Sequence, residues 1–204
     1  MKNLLSLSKK SVINYTILGL FVAVLSSPAI AAAATTSTTV NSAISSVLSV
    51  FTSNGTVNVN VTPTGSGAQT IASDTLTVST NDALGYTLQI ADSDTNTNLV
   101  SGGNNLAASS GSQGTPTAQT VNTWGYRVDS VGGFGAGPTS SQSSAAIGSI
   151  KFAGVPSSAA PNTIKTTATT ASNDTTTVWY GVSANTSQPS GTYSDTITYT
   201  ATAN

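Results

Sequence analysis

"GTYSDTITYTATA", residues 191–203, is the longest clean alternation in the chain. Tyr193, Asp195, Ile197, Tyr199 and Ala201 fall on one side, and Thr192, Ser194, Thr196, Thr198 and Thr200 on the other. A period of two is the pattern of a β-strand, whose successive side chains point to opposite faces. The tyrosines and the isoleucine predict a face turned to a core, and the row of hydroxyls a face turned outward. The phase also places Asp195 on the buried side, where a carboxylate needs partners. Backbone N–H groups or a tyrosine hydroxyl would serve. Lys151 or Lys165 would be the sharper choice, as in sandwiches that form a Lys–Asn isopeptide bond beside a buried acid.

Working outward, the same period recurs. "TVNVNVT" (56–62) puts Val57, Val59 and Val61 on one face. "DTLTVST" (74–80) does so with Leu76 and Val78, and "GYTLQIA" (85–91) with Tyr86, Leu88 and Ile90. "TTTVWYGVSA" (175–184) aligns Val178, Tyr180 and Val182, and "TWGYRVD" (123–129) aligns Trp124, Tyr126 and Val128. In "NSAISSVLSVF" (41–51) a helical stripe competes with a strand, and the strand near Val47–Thr52 is favoured because it runs into Asn54-Gly55, a hairpin signal. Turn residues separate the runs, and prolines fall outside them, where a missing N–H costs little. Short strands with frequent turns and no convincing helix predict an all-β fold: an antiparallel β-sandwich of immunoglobulin-like, Greek-key type spanning residues 44–204. Residues 99–121 read as a long polar crossover between sheets.

The N-terminus has the layout of a secretory signal peptide. Lys2, Lys9 and Lys10 precede the apolar run Ile17–Leu25, and Pro28 with the alanines after it supplies a cleavage region. The expected peptide, helical in its apolar part, is 1–31, with cleavage at 31–34, followed by a flexible Thr/Ala/Ser-rich linker, 32–43. This implies a secreted, extracellular, surface-associated protein, with the membrane met only through the signal. About 170 residues then remain, enough to bury one sizeable core.

The three lysines leave with the signal, so Arg127, Lys151 and Lys165 face seven aspartates, a net charge of −4. No basic patch offers nucleic acid an electrostatic footprint. The chain has no Cys, His or Glu. A Ser–His or Cys–His nucleophile cannot be built, and zinc and copper lack their usual ligands. The expectation is a protein that is not an enzyme and needs no cofactor. Calcium asks only for oxygens, and "DSDTNTN" supplies Asp92, Asp94, Asn96 and Asn98 at alternate positions, like the start of an EF-hand loop. The glycine expected sixth is Thr97, however, and the glutamate expected twelfth is Gly103. A polar turn is the commoner explanation.

The aromatics offer a rival reading. Trp124 is in phase with core residues, but Trp179 lies opposite Val178 and Tyr180, and Phe134 stands in the glycine loop "GGFGAGP". If exposed, Trp179 and Phe134 could stack on sugar rings as in a carbohydrate-binding module. Otherwise Phe134 folds back as a lid on the end of the sandwich.

Three stretches together carry a resemblance: "TVSTNDALGYTLQI" (77–90), "NTWGYRVD" (122–129) and "VWYGVSANTSQPSGTYSDTITYTATAN" (178–204). The pattern resembles secreted, Cys-poor, immunoglobulin-like surface proteins of bacteria, including those of candidate phyla. The last stretch is also similar to the final strand of spore-coat-U-type pilin domains and of WxL-type cell-wall-binding domains, although the pilin cysteines and the paired Trp-x-Leu motif are missing here. The resemblance implies a structural or adhesive protein at a bacterial cell surface. Its partners would be surface or matrix components, or further copies of itself, as in a filament built by donated strands.

Overall fold

The computed structural model describes residues 33–204. The expected signal peptide lies outside them. The chain divides into two units, Met1–Ala43 and Ile44–Asn204. Of the first, residues 33–43 contain no helix or strand and are exposed.

The second unit is all-β. Its strands are β1 (Leu48–Thr52), β2 (Ala68–Thr80), β3 (Tyr86–Asp92), β4 (Leu99–Ser101), β5 (Asn104–Ala108) and β6 (Thr117–Ala118). These are followed by β7 (Thr123–Val128), β8 (Gln142–Ala145), β9 (Lys151–Phe152), β10 (Asn162–Thr166), β11 (Ala171–Ala184) and β12 (Ile197–Ala203). The largest sheet runs β1-β2-β11-β7-β5-β4, with β8 also on β2. A second sheet runs β10-β3-β12, and β6 pairs with β9.

One core joins the two larger sheets in a sandwich-like arrangement. Leu76 and Val78 of β2, Tyr126 of β7 and Val178 of β11 meet Leu88 and Ile90 of β3, each of them fully or almost fully buried. These are the side chains whose period-two phase marked them as inward. Each stabilises the fold by about 1.5–3 kcal/mol relative to exposure. The register keeps the phases together: Tyr180 of β11 pairs with Tyr126 of β7 and with Ala72 of β2. β12 aligns antiparallel to β3, Tyr199 against Ile90, so the C-terminal strand completes its own chain.

Four details correct the sequence reading. The sheets are mixed, because β5 pairs parallel with β7. Residues 99–121, read as one long polar crossover, contain the short strands β4, β5 and β6. The regular C-terminal strand begins at Ile197, preceded by a single bridge between Ser194 and Val100. Finally, Asn54-Gly55 does not make a hairpin. β1 pairs with β2 instead, and the Asp74 carboxylate takes hydrogen bonds from Ser53 Oγ (2.8 Å) and the Asn54 N–H (3.0 Å), which carries the chain onward along β2.

The outer face of the large sheet is also covered. Ile71, Trp179 and Phe152 form a second buried cluster there. The Phe152 ring reaches over the sheet at Gly181, whose register partner on β7 is Gly125. Neither position has room for a side chain.

Candidate functional site

The stretch around Trp124 is a core strand latched at its end. Trp124 is buried, and its indole N–H donates to the Thr97 carbonyl at 2.9 Å. Phe134 folds back edge-on to Tyr126, with ring centres 5.6 Å apart, and the Arg127 guanidinium sits 5.7 Å from its ring. Arg127 is 1% exposed. Its guanidinium donates to the carbonyls of Lys151, Phe134 and Gly135 and to Asp129 Oδ1, all at 3.1–3.2 Å. A buried guanidinium is tolerable only with such partners. Its outward phase alone gave no warning of burial, because the loop that covers it comes from residues 131–137 and 149–151.

A sugar platform requires open rings. Trp179 is 8% exposed and Phe134 4% exposed. The phase of Trp179 does turn it away from the main core, as its position opposite Val178 implies, but Phe152 and Ile71 cover that face. Neither ring is open to a ligand.

The "DSDTNTN" loop is a succession of turns in which each side chain caps the N–H two residues on. Asp92 Oδ1 accepts from the Asp94 N–H (2.9 Å), Asp94 Oδ1 from Asn96 (2.6 Å), and Asn96 Oδ1 from Asn98 (3.3 Å). Asn98 Oδ1 in turn accepts from the Ala108 N–H. This is the local chemistry for which Asp and Asn are favoured in turns. The four alternate oxygens are therefore strung along the chain rather than gathered.

Asp92 reaches elsewhere. It continues the inward phase of Tyr86, Leu88 and Ile90, and is 1% exposed. Across the pairing of β3 with β12, where Asp92 stands opposite Ile197, its carboxyl neighbours that of Asp195. Asp195 Oδ1 accepts from the Thr196 N–H (2.7 Å), but Oδ2 of each aspartate is buried with no hydrogen-bond partner. Burial, together with Asp92 alongside and Asp94 nearby, pushes the Asp195 carboxyl up to about 7. Of the partners weighed for Asp195 from sequence, a backbone N–H is present, that of Thr196, whereas Lys165 Nζ is 2.5 Å from Asp174 Oδ1 and Tyr86 donates to Asp174 Oδ2. The signal for the acid pair was in the sequence, since both residues fall in the inward phase of strands that prove to be neighbours. What periodicity lacks is which strands pair.

The third feature is a strand without a ladder. Val57, Val59 and Val61 are half-buried against the core and alternate with exposed Asn58 and Asn60, as the sequence predicts. Yet residues 57–62 pair with no strand. The main-chain hydrogen bonds here go to side chains: Asn60 O accepts from Thr70 Oγ1 (2.7 Å), and the Thr62 N–H donates to Ser144 Oγ (2.8 Å). Backbone groups of successive residues in an extended chain point to opposite sides. Asn60 and Thr62 therefore turn theirs toward β2 and β8, and Val57, Val59 and Val61 turn theirs away. Large apolar residues stand exposed before and within β1: Val40 89%, Ile44 86%, Val47 62% and Phe51 66%.

No family model, curated protein or solved structure matches this chain.

Proposed function

We propose that the chain is a secreted, non-catalytic structural or adhesive protein of a bacterial cell surface, an immunoglobulin-like Greek-key sandwich that joins to its partners by strand addition. The observation that carries the reading is the unladdered strand 57–62. An extended segment whose side chains are docked while its outward backbone groups are free is an acceptor for another strand. The exposed segment before β1 supplies a donor of matching period. Val40, Ser42, Ile44 and Ser46 continue the phase of Leu48 and Val50, the β1 residues that pack on the core. The C-terminal strand, the other donor suggested by sequence, is engaged with β3. The preferred partner is therefore a second copy, whose residues 38–44 lie along 57–61, while Ser45 and Val47 stay bonded to Asn81 of their own chain. The surface suits close packing of copies: it is rich in Thr, Ser and Asn and poor in charge, so repulsion between neighbours is weak.

Negative-stain imaging of the secreted chain beginning at Ala33, concentrated to the range of a crowded surface, tests this. The reading expects chains or filaments one molecule wide. A uniform field of single particles at every concentration would count against it.

A further inference from the structure

We propose that Asp92 and Asp195 together hold a calcium ion, at a point different from the EF-hand-like loop suggested by the sequence. Asp92 is almost wholly buried, and its Oδ2 is unpartnered. Asp195 brings a second buried, unpartnered Oδ2 from the residues just before β12. Two neighbouring carboxylates, one buried and one half-buried, are unfavourable unless something positive stands between them. No side chain of the described residues supplies it. Arg127 is committed to Asp129, Lys165 to Asp174, and Lys151 is exposed on β9. Asp94 adds a third negative charge nearby.

The donor set is all oxygen, which suits a hard cation. Among the described residues no three acidic side chains converge on one point. The pair would therefore supply the charged ligands, and main-chain carbonyls and water the rest. So few carboxylates imply weak affinity, roughly 10⁻⁴–10⁻³ M, the range of extracellular calcium modules. Magnesium, which demands a tighter octahedron and sheds water reluctantly, is the poorer fit. The consequence is mechanical: the ion would tie the end of β3 to the start of β12, two chain segments about one hundred residues apart. The proposal does not depend on strand addition.

The test uses the whole secreted chain, treated with chelator and then titrated with calcium chloride or magnesium chloride. Thermal melting is followed, together with the amide NMR shifts of residues 92–98 and 194–196. Calcium at about ten times its dissociation constant should raise the melting temperature by roughly 3–6 °C and move those amides, with magnesium doing less. Asp195→Asn supplies an N–H to the Asp92 carboxylate in place of the ion. That variant should melt higher than the parent in chelator and no longer respond to calcium. If calcium leaves the parent's melting temperature and those amides unmoved, the pair is closed by a shared proton and the site is overturned. An equal calcium response in Asp195→Asn would overturn it as well.

Discussion

Gly125 and Gly181 sit opposite one another on β7 and β11, and each occupies a place that a methyl group could not. A Cβ on Gly181 would lie 2.7 Å from the Phe152 ring and 2.8 Å from Gln119 Oε1, and one on Gly125 would lie 2.4 Å from the Ala153 carbonyl. The glycines let the 152–154 segment close on the sheet and the Phe152 ring seal Ile71 and Trp179. Gly181→Ala should destabilise by about 1–3 kcal/mol through overpacking. Chemical denaturation should show this as a lower midpoint, with Trp179 fluorescence shifted toward that of an exposed indole. An unchanged midpoint would mean that Phe152 is free to move aside.

Trp124 anchors the main core, and its indole N–H holds the loop after Asp92 through Thr97. Trp124→Ala should cost about 3–5 kcal/mol. Trp124→Phe keeps much of the ring but removes the donor to the half-buried Thr97 carbonyl, and should cost about 0.5–1.5 kcal/mol from the lost hydrogen bond. Melting curves of the two variants check the order. Equal losses would assign the whole effect to packing.

Arg127 is worth more than a surface cation, because three carbonyls and Asp129 depend on its guanidinium. Arg127→Ala should destabilise by about 3–5 kcal/mol, as expected when one member of a buried charged network is removed. Arg127→Lys should recover only part of this, since one ammonium cannot reproduce a planar fork. Hydrogen exchange should localise the loss to the loop at 131–137.

The Asp174 group makes stability fall in acid. Burial opposes its ionisation, but the Lys165 ammonium and the Tyr86 hydroxyl outweigh burial and hold the carboxyl below the usual aspartate range. Tyr86, itself pushed well above the ordinary tyrosine value by burial and by Asp174, stays protonated as the donor. A carboxyl whose folded value is depressed contributes stability above its unfolded value, near 3.9, and loses that contribution as pH falls through the folded value. Melting temperatures of the parent should therefore drop more steeply below about pH 4 than those of Asp174→Asn. The group is partly exposed, so the difference should be modest and should shrink in high salt.

Much of this was legible in the sequence. The inward faces of β2, β3, β7, β11 and β12 were readable because alternation survives wherever one face is buried. The burial of Trp124 followed from its phase with Tyr126 and Val128. What alternation cannot give is pairing. Asn54-Gly55 carries the chemistry of a hairpin, but Asp74, some twenty residues on, captures the turn. Trp179 and Arg127 point away from the main core, as their phase says, and are buried because a second layer from residues 131–153 closes over them. Asp92 and Asp195 each fall in an inward phase, but only the pairing of β3 with β12, which sets Asp92 opposite Ile197, brings them near one another.

The proposed role rests on the outward backbone groups of Val57, Val59 and Val61, and the most direct measurement is whether the segment before β1 binds there. The chain beginning at Ser45 keeps the bond between Asn81 Nδ2 and the Ser45 carbonyl, so it should fold. Mixed with an isotope-labelled peptide of residues 36–48, it should bind the peptide saturably, with new amide protection at Val57, Val59 and Val61. It should itself remain monomeric in light scattering, while the chain beginning at Ala33 forms multimers that the same peptide caps. A longer chain that stays monomeric, with no peptide binding and no change in protection at 57–61, would contradict the account.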